Sequence, residues 1–124
     1  MAVALSHQEP YESQKKSVVQ RMKTLAEIQR QLADGDYDLS RHAFRRAIER
    51  NISEQEIRTA GAQAEVIEEY PDDKYSPSVL LLGHTSAGRP LHIQVSAAES
   101  AMTRIVTLYE PDPAEWDDFR KRRQ

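Results

Sequence analysis

The sequence predicts an α+β domain in which helices come first and an antiparallel sheet follows. Two observations support this prediction. Apolar residues recur every three or four positions up to about residue 62, as on one face of a helix, and alternate from residue 65 onwards, as in strands. The four predicted strands follow one another through short turns, which favours antiparallel pairing. We therefore expect helices packed on one face of a four-stranded antiparallel sheet.

The first element is a long amphipathic helix, predicted over residues 13–33. Its apolar side chains recur at helical spacing, at Val18, Met22, Leu25, Ile28 and Leu32. Gly35 ends the helix, because glycine readily adopts the left-handed conformation of a helix C-cap. The narrow apolar stripe must be buried against the domain or against a second copy of the chain. We therefore divide the chain into a flexible leader with the amphipathic helix, residues 1–36, and one α+β domain, residues 37–124.

The remaining elements follow from capping residues and from alternation. Ser40 is a suitable N-cap for a helix over residues 41–50, and the capping box that begins at Ser53 opens another helix to about residue 62. The predicted strands span residues 65–70, 78–85, 91–97 and 102–109.

A short terminal helix is predicted from Asp112. Pro113 suits the first helical position, and Glu115 follows three residues after the acidic cap. This helix is expected to turn Trp116 and Phe119 inward.

Composition excludes several classes of function. The chain has 124 residues, no cysteine and a formal net charge of −3. Without cysteine there is no disulfide framework, no thiolate zinc site and no thiol catalysis. The longest apolar run, residues 79–82, is far too short to span a membrane, and the N-terminus lacks the pattern of a secretory signal. We expect a cytoplasmic protein without a membrane partner, in which nucleic-acid binding must depend on local basic clusters.

The first basic cluster lies on the second predicted helix. His42, Arg46 and Arg50 are spaced four residues apart and therefore follow one stripe of that helix. Guanidinium groups bind phosphate through a planar fork, and imidazole transfers protons near neutral pH, so the stripe suits a phosphodiester. Arg45, on a neighbouring face, adds to the positive patch. The alternative is a solvated basic face that pairs with nearby carboxylates.

A second cluster lies on the third and fourth strands. If Leu91, Ile93 and Val95 face the core, His92 faces the other side of the sheet. If Val106 and Leu108 also face the core, Ile105, Thr107 and Tyr109 lie on the side of His92. Arg89 lies at the end of the hairpin, where it can reach a ligand. The alternative is an ordinary half-exposed strand histidine.

A metal site is the third possibility. His84 and His92 flank one predicted hairpin, and the register of that hairpin decides whether they share a face. The sequence contains no His-Glu-x-x-His motif and no glycine-rich phosphate loop. We therefore predict no bound metal and no cofactor.

Taken in order, these segments resemble domain-of-unknown-function family 4258. The resemblance covers about residues 37–112. Its motifs are Leu39-Ser40-Arg41-His42-Ala43 with Arg46, Arg50 and Ile52-Ser53, then Val66-Ile67 and Tyr70-Pro71, Leu80-Leu81-Leu82-Gly83, Gly88-Arg89-Pro90-Leu91-His92, and Val106-Thr107-Leu108-Tyr109 with Pro111. The N-terminal helix and the last dozen residues lie outside it.

The resemblance implies a relation to RelE-like and barnase-like toxin ribonucleases, which share helices followed by a four-stranded antiparallel sheet. In that class RNA is cleaved without metal, by attack of the ribose 2′-hydroxyl on its own phosphate. The implied catalytic residues are His92, His42, Arg50, Arg46 and Tyr109. From their predicted positions, we add Arg89, Arg45 and Thr107 as substrate-binding residues. Some related proteins are encoded beside a small zinc-finger antitoxin.

The sequence thus predicts a toxin-like endoribonuclease of a toxin–antitoxin system, with RNA and a cognate antitoxin as partners and a homodimer formed through residues 13–33. Two alternatives remain open at this point. One is a non-catalytic adaptor or dimerising interaction module with the same fold. The other is a metal-dependent hydrolase that uses the histidines.

Overall fold

The computed structural model describes residues 22–124, which form three helices and seven strands. The helices are α1 (Leu25–Asp34), α2 (Arg41–Glu49) and α3 (Glu54–Ala62). The strands are β1 (Tyr37–Leu39), β2 (Glu65–Tyr70), β3 (Ser78–His84), β4 (Pro90–Ser96), β5 (Thr103–Tyr109), β6 (Trp116–Asp117) and β7 (Lys121–Arg122). The predicted α+β class is confirmed, and so are the two shorter helices and the four longer strands.

The helices pack on one face of the sheet, which we call the helix face. Helix α2 lies against β5, α3 lies against β3, and α1 packs on α3. The core between these layers is made of Ile28, Leu32, Ala43, Ala47, Ile52, Ile57, Ala60, Ala64, Leu81, Leu91, Ile93, Val95, Ile105 and Leu108. Gly83 permits the close approach of α3, because a Cβ at this position would lie 2.1 Å from the carbonyl oxygen of Ala60.

The sheet differs from the predicted four antiparallel strands. It has five strands in the order β1-β5-β4-β3-β2, and β1 pairs with β5 in parallel. The Ser40 N–H donates to the Ile105 carbonyl, which holds β1 at the sheet edge. Strand β1 has only three residues and is too short to show an alternating pattern, so no strand was predicted there.

The predicted helix over residues 13–33 is not continuous, because residues 22–24 are not helical and helix α1 begins at Leu25. Thr24 and Glu27 form a capping box at its N-terminus, and Met22 pairs with Ala98 instead of lying in a helix. Ile28 and Leu32 are buried as predicted, whereas Met22 and Leu25 are 42% and 36% exposed. The predicted helical segment 13–21, with Val18, lies outside the described residues, and the homodimer through residues 13–33 stays a prediction.

A buried polar network attaches α1 to the start of β5. The Lys23 ammonium donates to Gln31 Oε1 at 2.8 Å and to the Met102 carbonyl at 2.9 Å. The Thr103 hydroxyl also donates to Gln31 Oε1, at 2.6 Å, and the Gln31 amide donates to the Ala101 carbonyl at 2.9 Å. Burial lowers the pKa of Lys23, although Glu27 and Asp38 raise it. Gln31 is therefore the centre of the network.

The predicted terminal helix is wrong. Residues 116–122 form the β6–β7 hairpin, which we call the C-terminal hairpin. Asp118 and Phe119 turn the chain with positive φ values of 54° and 60°. Asp118 is a common turn residue but Phe119 is not, so the sequence carries only half of a turn signal at this point. Trp116 nevertheless points inward as predicted, with 3% exposure.

One residue of β5 lies on the face opposite to the predicted one. A bulge shifts the β4–β5 register so that Thr107 pairs with Gln94 but Ile105 pairs with Val95. Because one extra residue inverts the side-chain faces, Ile105 enters the core and Val106 is only half-buried.

None of the helices among residues 22–124 has the length and apolar character needed to cross a membrane.

We expect Gln31→Ala to destabilise the fold by about 2–3 kcal/mol. The change removes the acceptor of Lys23 and Thr103 and leaves buried polar groups without a partner. Urea unfolding measures the change in the free energy of unfolding. Gln55→Ala, at an exposed position of α3, is the matched control and should change it by less than about 0.5 kcal/mol. Equal midpoints for the two variants would contradict this account of the network.

Candidate functional site

The face of the sheet opposite the helices, which we call the open face, carries most of the polar strand residues. His92 pairs with Tyr109 and Gln94 pairs with Thr107, so these four side chains share that face. This confirms the predicted placement of His92, Thr107 and Tyr109 together. Leu91, Ile93 and Val95 point to the helix face and are fully buried, also as predicted.

His92 is fully buried, in contrast to the half-exposed position predicted for it. Its ring packs edge-on against Trp116, with centroids 4.5 Å apart, and against Tyr109, with centroids 5.2 Å apart. The C-terminal hairpin supplies Trp116 and therefore covers His92. Strand alternation identified the face of His92 but gave no indication of this cover.

Hydrogen bonds fix the tautomer of His92. Nε2 lies 2.7 Å from the carbonyl oxygen of Phe119, which can only accept, so Nε2 carries the proton. In the neutral ring Nδ1 is then the acceptor for the Tyr109 hydroxyl at 3.2 Å. Burial lowers the pKa of His92, although the Phe119 carbonyl and Glu68 raise it. His92 is therefore a neutral imidazole that anchors the turn of the C-terminal hairpin.

The anchored hairpin brings Arg122 to strand β2. Arg122 donates from Nε to Glu68 Oε2 at 2.9 Å and from Nη2 to Glu68 Oε1 at 3.2 Å, and its guanidinium lies 4.6 Å from the centre of the Trp116 ring. The Tyr70 hydroxyl makes a short hydrogen bond to Glu68 Oε1. We call these three residues, Glu68, Tyr70 and Arg122, the Glu68 cluster.

The cluster holds one ionised carboxylate and one protonated phenol. Burial raises the pKa of Glu68, but hydrogen bonds from Tyr70 and Arg122 outweigh that effect and lower it. Burial and the hydrogen bond to Glu68 raise the pKa of Tyr70 to about 12. At neutral pH the cluster therefore combines a proton acceptor, a proton donor and a cation.

The Glu68 cluster borders a shallow depression of about 550 Å³. Its lining includes Tyr70 and Arg122 of the cluster, together with Asp73 and Gln94. Ser78 links the last two, because its hydroxyl donates to Asp73 Oδ2 at 2.7 Å and accepts from Gln94 Nε2 at 3.0 Å. The depression is wide enough for a small polar ligand and open to solvent, since the Arg122 side chain is 62% exposed.

The predicted helix residues lie on the other side of the sheet. His42 lies in the first turn of helix α2, Arg45 and Arg46 lie in its middle and Arg50 is its C-cap, and the helix packs on the helix face. Arg46 forms an ion pair with Glu49 at 3.4 Å, whereas His42, Arg45 and Arg50 are exposed. The structure therefore does not bring these residues together with His92 and Tyr109.

Arg89 is a structural link between three elements. Its Nε donates to Glu110 at 2.7 Å, Nη1 donates to the Asn51 carbonyl at 3.1 Å and lies 3.2 Å from Glu56 Oε2, and Nη2 donates to the Arg50 carbonyl at 2.8 Å. All three guanidinium nitrogens thus have protein partners. The predicted role of Arg89 in substrate binding would require it to leave them.

The structure gives no support to metal ligation by His92. Both of its ring nitrogens already have hydrogen-bond partners. Within residues 22–124, no three histidine, aspartate or glutamate side chains are grouped so that they could hold an ion.

Sequence reasoning missed all three members of the Glu68 cluster. Two signals were available: Glu68 and Tyr70 lie two residues apart on one strand, and Trp116 marks an inward-facing C-terminal segment. No local pattern connects Arg122 with β2.

The His92 anchor predicts a pH dependence of stability. The folded pKa of His92 is lowered, so its contribution is complete above the unfolded pKa of about 6.5 and is lost as the pH falls below that value. Urea unfolding at about pH 7.5 and 5.5 measures the loss. We expect His92→Phe to remove this component and His84→Gln, at an exposed histidine, to retain it. The same pH dependence in wild type and His92→Phe would be incompatible with the anchor.

Replacing Arg89 tests its linking role. Arg89→Lys should lower the stability by about 1–3 kcal/mol, because an ammonium cannot reproduce a fork that bonds to four partners. Arg104→Lys, which alters an exposed ion pair with Asp38, is the control and should change the stability by less than about 0.5 kcal/mol. Thermal unfolding distinguishes the two, and an unchanged midpoint in Arg89→Lys would refute the link.

Comparison with known proteins gives one match. Residues 39–110 match the family model of DUF4258, described as a domain of unknown function. No curated protein and no solved structure matches the chain. The matched segment begins in β1 and ends just after β5, so it contains His92, Glu68 and Tyr70 but not the C-terminal hairpin. Since the match covers more than half of the sequence, the chain belongs to the DUF4258 family.

Proposed function

We propose that this protein is a cytoplasmic, toxin-like endoribonuclease that cleaves RNA without a metal ion at the Glu68 cluster. One observation carries the proposal. A carboxylate, a phenol and a guanidinium are held in mutual contact on the open face, beside a depression that is accessible to solvent. These are the groups that a 2′-hydroxyl attack on phosphate requires.

The reaction assigns one role to each member of the cluster. Glu68 accepts the proton of the ribose 2′-hydroxyl, and the 2′-oxygen attacks phosphorus. Arg122 stabilises the charge that develops on the phosphate oxygens. Tyr70 donates its proton to the 5′-oxygen as the P–O5′ bond breaks, giving a 2′,3′-cyclic phosphate and a 5′-hydroxyl end.

The hydrogen bond between Tyr70 and Glu68 completes the cycle. After cleavage Glu68 is protonated and Tyr70 is deprotonated, and a proton transfer along their hydrogen bond restores both. Substrate entry requires Tyr70 to release one carboxylate oxygen to the 2′-hydroxyl. His92 and Tyr109 act as positioning residues in this scheme, because they hold the hairpin that carries Arg122.

The toxin–antitoxin assignment rests on the resemblance to RelE-like and barnase-like toxins. In this proposal the five-stranded sheet is a variant of their fold, with β1 as an added edge strand. Thr107, on the open face, can line the path of the RNA. Induced expression with transcript-end mapping tests whether the protein arrests growth and cleaves RNA, and whether co-expression of a zinc-finger antitoxin relieves the arrest.

Cleavage of mixed-sequence RNA oligonucleotides by the full chain in EDTA tests the chemistry. We expect Glu68→Gln to lower the rate about 10²–10⁴-fold, because it removes the proton acceptor while keeping the shape, and Arg122→Ala to lower it about 10²–10³-fold. Arg120→Ala is the matched control. Arg120 belongs to the same hairpin and pairs with Glu65 at 2.6 Å, so this variant should retain the wild-type rate.

Two results would refute the proposed site. One is a wild-type cleavage rate in a folded Glu68→Gln variant. The other is a cleavage activity that EDTA abolishes.

A non-catalytic interaction module is the second candidate function. The observation that favours it is an exposed apolar pair on α2, Phe44 and Ile48, which are 57% and 65% exposed. Absence of RNA cleavage by the wild-type chain, together with stable binding of a partner protein, would support this candidate.

A further inference from the structure

An apolar groove opens on the helix face at the β1 edge of the sheet. Its volume is about 560 Å³, and strand β1, helix α2 and the start of helix α3 form its walls. The apolar lining consists of Tyr37, Leu39, Phe44, Ile48, Ile52 and Ile57. Because β1 and β2 are opposite edges of the sheet, the groove lies far along the sheet from the Glu68 cluster, and on the other face.

The α2 wall of the groove is unusually exposed. Phe44 and Ile48 lie four residues apart and form one continuous apolar strip, while Ala43 and Ala47 point into the core. The hydroxyl of Tyr37, on the β1 wall, is buried and has no hydrogen-bond partner among residues 22–124. Adjacent exposed apolar side chains that line a groove are typical of a binding surface.

Positive charge borders the apolar strip. Arg41 lies one turn before Phe44, and Arg45 lies one turn before Ile48. Both are exposed, and neither forms an ion pair or hydrogen bond with the part of the chain that the structure describes. Arg46 lies on the far flank of α2 and is paired with Glu49. The groove therefore presents an apolar strip that is bordered on its outer side by cations without an ion-pair partner among residues 22–124.

This charge distribution disfavours a second copy of the chain. A symmetric contact through the same surface would bring Arg41 and Arg45 of both copies together, and like charges repel. Single-stranded RNA fits the arginines, but its bases stack on flat aromatic surfaces. Apart from Phe44 and Tyr37 the apolar walls are aliphatic, at Ile48, Ile52 and Leu39 among others, which suits apolar side chains better.

We infer that the groove binds an acidic peptide segment with one apolar face, supplied by a partner protein. Its apolar side chains occupy the strip of Phe44 and Ile48, and its carboxylates pair with Arg41 and Arg45. Glu54, on the opposite wall, fixes the orientation by repelling carboxylates from that side. This inference does not depend on the proposed ribonuclease activity.

Fluorescence anisotropy with the full chain tests the inference. The probe is a labelled synthetic amphipathic helix with leucines on one face and glutamates on the other. We expect Ile48→Ser and Arg45→Glu each to weaken binding about tenfold. Tyr75→Ser is the matched control, since Tyr75 is 88% exposed in the β2–β3 loop and should leave binding unchanged. Glu68→Gln should also bind as the wild type does, which separates this test from that of the ribonuclease.

Several outcomes would overturn the inference. The acidic probe fails to bind, or a lysine analogue of it binds equally well. Tyr75→Ser weakens binding as much as Ile48→Ser does. Finally, single-stranded RNA binds in a manner that depends on Ile48, which would make the groove a nucleic-acid surface. The melting temperatures of the variants are compared with that of the wild type, so that a loss of probe binding is assigned to the groove only when the variant is as stable as the wild type.

Discussion

The open face of this protein depends on one buried hydrogen bond, from His92 Nε2 to the Phe119 carbonyl. It holds a turn whose two central residues have positive φ, a conformation that costs free energy in non-glycine residues. Trp116 packs over the same imidazole and Arg122 packs over Trp116, so the anchor determines where the guanidinium meets Glu68. A neutral, buried histidine is therefore a structural element here, and the groups available for chemistry are the ones that it positions.

The two faces of the sheet divide the molecule into two functional surfaces. The open face holds the Glu68 cluster, where opposite charges neutralise each other and a phenol supplies a proton. The helix face holds an apolar strip at the far sheet edge, beside Arg41 and Arg45, which form no ion pair within residues 22–124. A chain with a net charge of −3 thus keeps a local excess of positive charge on α2. We propose RNA cleavage on one surface and binding of a protein segment on the other, so the two proposed activities use different residues.

Local sequence signals predicted the elements well and their long-range contacts poorly. Ser40 and Ser53 marked two helix starts because capping is a local interaction, and alternation around His92 identified its face. The burial of His92 was not predictable, because its cover comes from a distant hairpin whose turn contains Phe119 at positive φ, a residue type that does not indicate a turn. The sequence also gives no indication of the bulge that moves Ile105 into the core. The predicted site residues lie on two different faces of the sheet for the same reason: strand order and side-chain faces, rather than spacing along the chain, decide which polar groups meet.

The protonation state of His92 tests directly whether this residue anchors the C-terminal hairpin. Long-range proton–nitrogen NMR correlations identify the tautomer of a histidine and reveal whether its ring proton exchanges slowly with water. We expect His92 at about pH 7.5 to be neutral, with a slowly exchanging proton on Nε2. In Trp116→Ala, which removes the cover of the ring, this proton should exchange rapidly. A proton on Nδ1, or rapid exchange in the wild-type chain, would show that the hairpin is not anchored at His92 and would remove the basis for the position of Arg122.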